Sequence, residues 1–358
     1  MHKVFILTNT LKTGGAEKQS IYLFKALRKR FETNLVVYYG NQYDQRLLDL
    51  LPKDCSGNVI FLEGNHFKKA VTLYKLFKQS SDTICISYLA TTNTINAIIG
   101  TFAGVKIRIG GIRSSRFHWF KKIVQRHLHN HWLTCSIFNN NRGSEELISE
   151  GFKKEKGIVI FNCIEMPNSY VKEHDIQKIN ILTVGRFVEE KDYLTAFLSI
   201  KELIKNNINL KYTIVGQGEL ENTLKCYISE NELENYVEFV INPPNVDDYY
   251  KHADIYLSTS LFEGLSNSIM EAMSFNLPVV ATDVGDNKYL VLNNETGFLL
   301  PAKDVEGISI KLEALINNAD LRKKMGENGY GHITQTFSID KFTQEYTNLI
   351  ERLMDAHQ

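Results

Sequence analysis

The chain has 358 residues, 43% of them apolar and 23% charged, a composition that fits about two globular domains and excludes a disordered or collagen-like chain. Its five cysteines are odd in number and include no Cys-x-x-Cys pair, which argues against a disulfide framework and a zinc site and fits a reducing cytoplasm. The net charge is zero, yet residues 1–165 hold 24 Lys or Arg against 12 Asp or Glu and the remainder 17 against 29, so the two halves carry +12 and −12.

Short β-branched and aromatic runs alternate with longer stretches of helical period. In the first half the predicted strands are VFILT (4–8), TNLVVYY (33–39), NVIFL (58–62), TICIS (83–87), VKIRI (105–109), WLTCS (132–136) and GIVIF (157–161), with helices such as AEKQSIYLFKALRKR between them. The rhythm breaks at CIEMPNSYVKEHDIQK, residues 163–178, which reads as a linker. It resumes with NILTVG (180–185), LKYTIVG (210–216), YVEFVI (236–241), DIYLST (254–259) and LPVVAT (277–282), and closes with helices near 304–317, 319–334 and 338–356. Alternating strands and helices predict an α/β fold of two Rossmann-like, doubly wound domains, 1–165 and 166–339, facing a central cleft. The opening apolar run is too short for a signal-peptide core, and no run approaches the ~18 residues of a spanning helix, so a chain that is soluble or rests on a membrane is expected.

In doubly wound sheets the chemistry lies in the loops at the carboxyl ends of the strands. The first such loop, Thr13-Gly14-Gly15-Ala16-Glu17, feeds a helix whose free amides could hold an anion; paired glycines can equally serve the turn alone. Gly216-Gln217-Gly218 lacks the third glycine of a dinucleotide fingerprint, its place taken by Glu221. VGRFVEEK places Arg186 and Lys191 just past a strand, a fork and a point charge suited to a diphosphate, unless both simply pair with Glu189 and Glu190.

LFEGLSNSIMEAM (261–273) holds two glutamates eight positions apart around a small polar turn. Gly264, Leu265, Ser266 and Asn267 can present backbone amides at a helix start. Glu271, one turn in, can accept the hydroxyls of a ribose, and Glu263 those of a second sugar. Ser268-x-x-Glu271 also reads as a capping box, which would explain Glu271 without a ligand.

Residues 113–132, RSSRFHWFKKIVQRHLHNHW, combine five cations with four histidines, two tryptophans and two phenylalanines and contain no acidic residue. Phe117, Phe120, Ile123, Val124 and Leu128 fall at helical spacing, which predicts an apolar face toward the core and cations on the other faces. One reading is an ordinary covering helix with a solvated basic side; the other is a peripheral contact with anionic lipid.

Taken together, VGRFVEEK, VGQGELENTL, ADIYLSTSLFEGLSNSIMEAMSFNLPVVATDVG and NETGFLLP, with the GGAE loop upstream, resemble glycosyltransferase family 4, retaining enzymes of the GT-B architecture. The resemblance covers nearly the whole chain, and its Glu-x7-Glu pair is a specific signal. It implies transfer of a sugar from a nucleotide-sugar donor, a UDP-sugar more commonly than a GDP-sugar, to a glycan or lipid-linked acceptor, with no metal and no further cofactor. By the same resemblance Arg186 and Lys191 hold the donor diphosphate with the Gly14–Gly15 loop nearby, Glu271 holds the ribose, and Glu263 with the amides of 264–267 holds the transferred sugar. The domain after the linker then binds the nucleotide-sugar, the first domain takes the acceptor, and the last helix, about 340–358, packs back on the first domain. The expected setting is cell-surface polysaccharide or glycolipid assembly at the cytoplasmic face of a membrane.

Two departures stand out. Where many members carry a histidine at a strand end facing the transferred sugar, this chain offers Tyr88 and, in an equivalent position, Arg113, so Arg113 is the candidate at the anomeric carbon. The usual Gly-Gly-x-x-Glu after the last core strand is Gly285-Asp286-Asn287-Lys288-Tyr289. A nucleotide-sugar epimerase, or a sugar-nucleotide-binding protein without turnover, is the competing expectation; nucleic acid is not an expected partner, since no reading motif accompanies the basic half.

Overall fold

The computed structural model describes residues 2–12, 14–113, 117–167 and 178–357. Thr13 of the first glycine loop, residues 114–116 of the basic aromatic stretch and most of the expected linker lie outside them. The chain divides into two compact units, Met1–Cys163 with Ile339–Gln358, and Ile164–Ser338.

The first unit is a seven-stranded sheet, paired in parallel throughout: β1 (Lys3–Thr8), β2 (Glu32–Val37), β3 (Val59–Phe61), β4 (Thr83–Tyr88), β5 (Ile107–Ile112), β6 (Cys135–Phe138) and β7 (Gly157–Val159), in the order β3-β2-β1-β4-β5-β6-β7. Side chains alternate between its faces. Val4, Ile6, Leu35 and Val37 join one core with α1 (Gly15–Leu27), while Phe5, Leu7, Val36 and Cys85 join the other with residues of α3 (His66–Phe77) and α4 (Leu89–Ala103). The remaining helices are the short α2 (Gln45–Leu48), α5 (Trp119–His127), which runs into a π-turn at Leu128–Trp132, and α6 (Asn141–Ser149).

β5 begins later than predicted and runs through Gly110 and Gly111. Neither glycine marks a turn: a Cβ at Gly111 would stand 2.6 Å from the Ser87 carbonyl oxygen, and one at Gly110 would stand 2.6 Å from Leu133, so both let neighbours close on the strand. The predicted WLTCS strand starts instead at Cys135, because Trp132 is taken up by the π-turn.

The second unit repeats the plan with six parallel strands, β8 (Ile179–Val184), β9 (Leu210–Gly216), β10 (Val237–Ile241), β11 (Ile255–Ser258), β12 (Val279–Thr282) and β13 (Gly297–Leu300), ordered β10-β9-β8-β11-β12-β13. Its helices are α7 (Tyr193–Lys205), α8 (Glu221–Glu230), α9 (Asp247–His252), α10 (Asn267–Ser274), α11 (Asn287–Leu290), α12 (Val305–Ile316) and α13 (Ala319–Thr336). α14 (Ile339–Asp355) packs on α1 and adds Phe342, Tyr346, Leu349 and Ile350 to the core of the first unit. Among the described residues no helix is long and apolar enough to cross a membrane.

Candidate active site

In the second unit the strand order reverses between β8 and β11, the point at which the loops leaving neighbouring strands of a doubly wound sheet run to opposite sides. Asp192, at φ 46°, ends the β8 loop in the left-handed region and caps α7, accepting hydrogen bonds from the Thr195 amide (3.4 Å) and hydroxyl (2.6 Å). The β11 loop is tied to this one: the Thr259 hydroxyl donates to the carbonyls of Lys191 (3.1 Å) and Asp192 (2.9 Å), and the Leu261 amide donates to the Glu190 carbonyl (2.8 Å).

Across that junction Lys191 Nζ lies 2.6 Å from Glu263 Oε1, and the Ser260 hydroxyl donates to the same oxygen at 2.8 Å. The two charged side chains retain only 18% and 12% exposure. The alternative in which Lys191 serves Glu189 or Glu190 is therefore not the arrangement found. Arg186, on the same loop, is exposed and its side chain enters no ion pair or hydrogen bond among the described residues.

Glycines set the backbone around this pair. A Cβ at Gly216 would stand 1.9 Å from the Gly185 carbonyl oxygen and one at Gly218 would stand 2.4 Å from that of Phe187, while the Phe187 amide donates to Gln217 at 2.9 Å. The Gly-x-Gly thus allows the β9 loop to close on the β8 loop. Gly285, at φ +58°, does the same from β12: its Cβ would stand 2.2 Å from the Glu263 carbonyl oxygen, and the next amide, Asp286, donates to Gly264 at 2.9 Å. The altered loop for which the sequence supported no role is the backing of the Glu263 turn.

α10 starts at Asn267 with Ser266 as its cap, and the Ser266 side chain makes no capping hydrogen bond. The capping-box reading fails here, because the helix begins too early for Ser268 to cap it; Ser268 instead faces Ser266, hydroxyl to hydroxyl at 3.3 Å. Ile269, Met270, Ala272 and Met273 are buried, which anchors the helix and fixes Glu271. The Glu271 carboxylate accepts a hydrogen bond from the Tyr250 hydroxyl at 3.1 Å. Tyr250 is buried and stacked on Phe275 with ring centroids 5.5 Å apart, and burial, then the Glu271 charge, hold its hydroxyl well above its ordinary pKa. Sequence reasoning missed Tyr250; the available signal was the short helix DDYYKH, where one of two adjacent tyrosines has to face the sheet.

Three further candidates belong to the first unit. Gly14 caps α1 in extended backbone, and a Cβ there would stand 2.3 Å from Glu17 Oε2. The helix start at Gly14 and Gly15 therefore already carries a carboxylate, which accepts from the Thr10 hydroxyl at 3.3 Å and whose pKa burial raises. Arg113 donates to Asn162 Oδ1 (2.9 Å) and to the Tyr346 hydroxyl of α14 (3.3 Å), and its guanidinium lies 4.2 Å from the centre of the Tyr88 ring. Its Nε is buried without a hydrogen-bond partner among the described residues.

Along the chain, residues 168–332 match the family described as Glycosyl transferases group 1. The class is thereby defined: the chain is a glycosyltransferase with the two-sheet GT-B architecture. Among particular proteins, it is 25% identical to the GalNAc-alpha-(1->4)-GalNAc-alpha-(1->3)-diNAcBac-PP-undecaprenol alpha-1,4-N-acetyl-D-galactosaminyltransferase of Campylobacter jejuni, over 99% of this chain and 100% of that one. It is also 25% identical to the UDP-Gal:alpha-D-GlcNAc-diphosphoundecaprenol alpha-1,3-galactosyltransferase of Escherichia coli, over 94% of each chain. The crystal structure of Anabaena Alr3699/HepE in complex with UDP and glucose superposes with a TM-score of 0.82 at 17% identity, covering 98% of this chain and 100% of that one, which is a likeness of fold.

Proposed function

We propose that this glycosyltransferase is a retaining enzyme of family 4 that moves a sugar from a nucleoside diphosphate sugar, a UDP-sugar in preference to a GDP-sugar, to a lipid-linked or glycan acceptor in bacterial-type surface polysaccharide assembly. The carrying observation is the Lys191–Glu263 pair at the strand reversal of the second unit, inside the stretch that matches the family. Departure of the nucleoside diphosphate leaves negative charge on the β-phosphate. Lys191, the exposed Arg186 and the amide end of α10 supply positive charge where it develops, and such preorganised donors are commonly the largest catalytic contribution. Glu271, held by Tyr250, takes the ribose hydroxyls; Glu263 and the amides of Gly264–Asn267 take the transferred sugar. For Gly14, Gly15 and Arg113 of the first unit, the roles toward the donor and the anomeric carbon rest on the family resemblance alone. The relatives whose names specify undecaprenol diphosphates, and the fold neighbour with UDP and glucose, support the donor and acceptor classes. For work on such an acceptor the proposed location is the cytoplasmic face of a membrane, with the basic aromatic stretch 113–132 as the proposed peripheral contact.

Nucleotide release from a panel of UDP- and GDP-sugars, with and without an undecaprenyl-diphosphate-linked sugar, tests this. Release that needs the acceptor, with the anomeric configuration conserved in the product by NMR, is expected. Interconversion of the donor sugar without acceptor would make the chain an epimerase, and binding without release would make it a non-catalytic sugar-nucleotide-binding protein.

A further inference from the structure

The helices α3, α4 and α5 lie side by side on one face of the first sheet, α3 against α4 and α4 against α5. Their inner residues are accounted for: Leu73 and Phe77 of α3 enter the core, as does Ala97 of α4, against which Val124 and Leu128 pack. Their outer residues are unusual for helices covering a sheet. Phe67 is 78% exposed, Phe102 71%, Trp119 66% and Phe120 61%, and Val71, Tyr74, Ile98 and Ile123 are exposed beside them. The amphipathic expectation for residues 117–128 is therefore corrected. Val124 and Leu128 turn inward with Gln125, while Phe120 and Ile123 stand outside.

Charge follows the same surface. None of the three helices contains an aspartate or glutamate. Lys68 and Lys75 flank the Phe67–Val71–Tyr74 stripe, Lys78 follows α3, and Lys121 sits beside Phe120, all exposed. Lys122 and Arg126, by contrast, are taken up on the far side of α5: Lys122 pairs with Glu150 at 2.8 Å, and Arg126 donates to the Glu150 carbonyl at 2.8 Å. Glu63 and Asp82 lie outside the helices at either end of α3.

We propose that the outer surface of α3, α4 and α5 together is a docking face for an anionic lipid bilayer. Phe67, Phe102, Trp119 and Phe120 enter the headgroup layer, and Lys68, Lys75 and Lys121 meet the lipid phosphates. This deepens the peripheral contact assigned above to residues 113–132 and rests on that reading, but moves its centre from one helix to three. Exposed aromatics flanked by lysines without carboxylates are complementary to a surface that is apolar beneath and negatively charged above. A bilayer uses both halves of that pattern at once.

Co-sedimentation with vesicles of phosphatidylcholine, against vesicles of phosphatidylcholine and phosphatidylglycerol in equal parts, tests it. Binding is expected on the phosphatidylglycerol vesicles and to weaken as salt screens the surface. Each of Lys68→Gln, Lys75→Gln and Lys121→Gln lowers it about fivefold, the triple variant on the order of a hundredfold. Phe67→Ser with Trp119→Ser and Phe120→Ser lowers it at least about tenfold. All six side chains are exposed, so the variants keep the wild-type melting temperature and a lost signal reports the surface. Equal binding to both vesicle types, or α3 variants that bind like wild type, would overturn the proposal. So would a solution dimer by light scattering that the aromatic changes dissociate, since the face would then be a contact between copies. Transfer to a water-soluble acceptor, measured on the same variants, separates the two readings: a chain that turns over donor but ignores vesicles defeats only this one.

Discussion

Replacing Lys191 by methionine asks whether its pairing with Glu263 is a structural tie or a cation held ready for a ligand. At 2.6 Å the gross attraction is about 6 kcal/mol for an effective dielectric constant of about 20. Desolvation of two side chains with 18% and 12% exposure offsets most of it. Deleting the lysine alone leaves Glu263 with the Ser260 hydroxyl and costs about 1–3 kcal/mol of stability, less than for a fully buried pair because solvent reaches the site. Adding Glu263→Gln removes the uncompensated charge, so in urea titrations the double variant is more stable than Lys191→Met. Turnover follows a different rule. Without the cation the departing diphosphate loses a preorganised partner, and nucleotide release at saturating donor falls about a hundredfold to a thousandfold, or ~2.7–4 kcal/mol of barrier, in both variants. If Lys191→Met kept wild-type turnover, or the double variant recovered turnover together with stability, the lysine would serve only to neutralise Glu263 and the assignment would be refuted.

Glu271→Ala is expected to raise the donor KM about tenfold to a hundredfold with kcat little changed, and Tyr250→Phe to move KM the same way by about tenfold or less, as loss of hydrogen bonds to a charged group does; initial-rate kinetics over donor concentration check both. Gly285→Ala forces a side chain into left-handed backbone and against the Glu263 carbonyl, so it lowers the melting temperature by an equivalent of about 1–3 kcal/mol and reduces turnover with it; a variant as active as wild type would show that the β12 loop does not set Glu263. His129 is fully buried between the Ser136 hydroxyl (2.8 Å) and the Lys153 carbonyl (2.9 Å), and burial depresses its pKa below 6.5. The unfolded chain therefore takes up a proton that the fold refuses as pH drops below 6.5, and stability declines until the folded pKa is reached. Urea midpoints measured between about pH 5 and about pH 8 should lose part of that slope in His129→Gln.

The alternation of buried strands and amphipathic helices made the two parallel sheets legible, because such strands need apolar residues on both faces and write themselves as short unbroken runs. Positions where glycine serves a close approach were not legible. Gly110 and Gly111 follow the predicted strand 105–109 yet lie inside β5, and Gly216 and Gly285 gain their meaning from carbonyl groups distant in sequence. β13, the run GFLL, escaped as a strand because four residues carry no period. At the candidate site, Lys191 and Glu263 could be named from their loops, but their meeting depends on β8 and β11 being neighbours, which is topology rather than pattern. Tyr250 was invisible for the same reason, as its hydroxyl meets a carboxylate 21 positions away. The basic aromatic helix was recognised, but helical spacing alone put Phe120 and Ile123 on the inner face.

α14 belongs to the first unit although the whole second unit precedes it in the chain. During synthesis the second unit, continuous from Ile164 to Ser338, has all its strands available before α14 leaves the ribosome. The first unit does not: its sheet is complete by Val159, but the apolar side of α1 waits uncovered until Phe342, Tyr346, Leu349 and Ile350 arrive. A nascent chain of this protein therefore carries a bare hydrophobic stripe near its beginning for the time needed to translate about 180 further residues, roughly 10–40 s at cellular rates. Over that interval the first unit is the natural client of a holding chaperone, and termination just after Ser338 would release a finished second unit tethered to an unfinished, aggregation-prone first one.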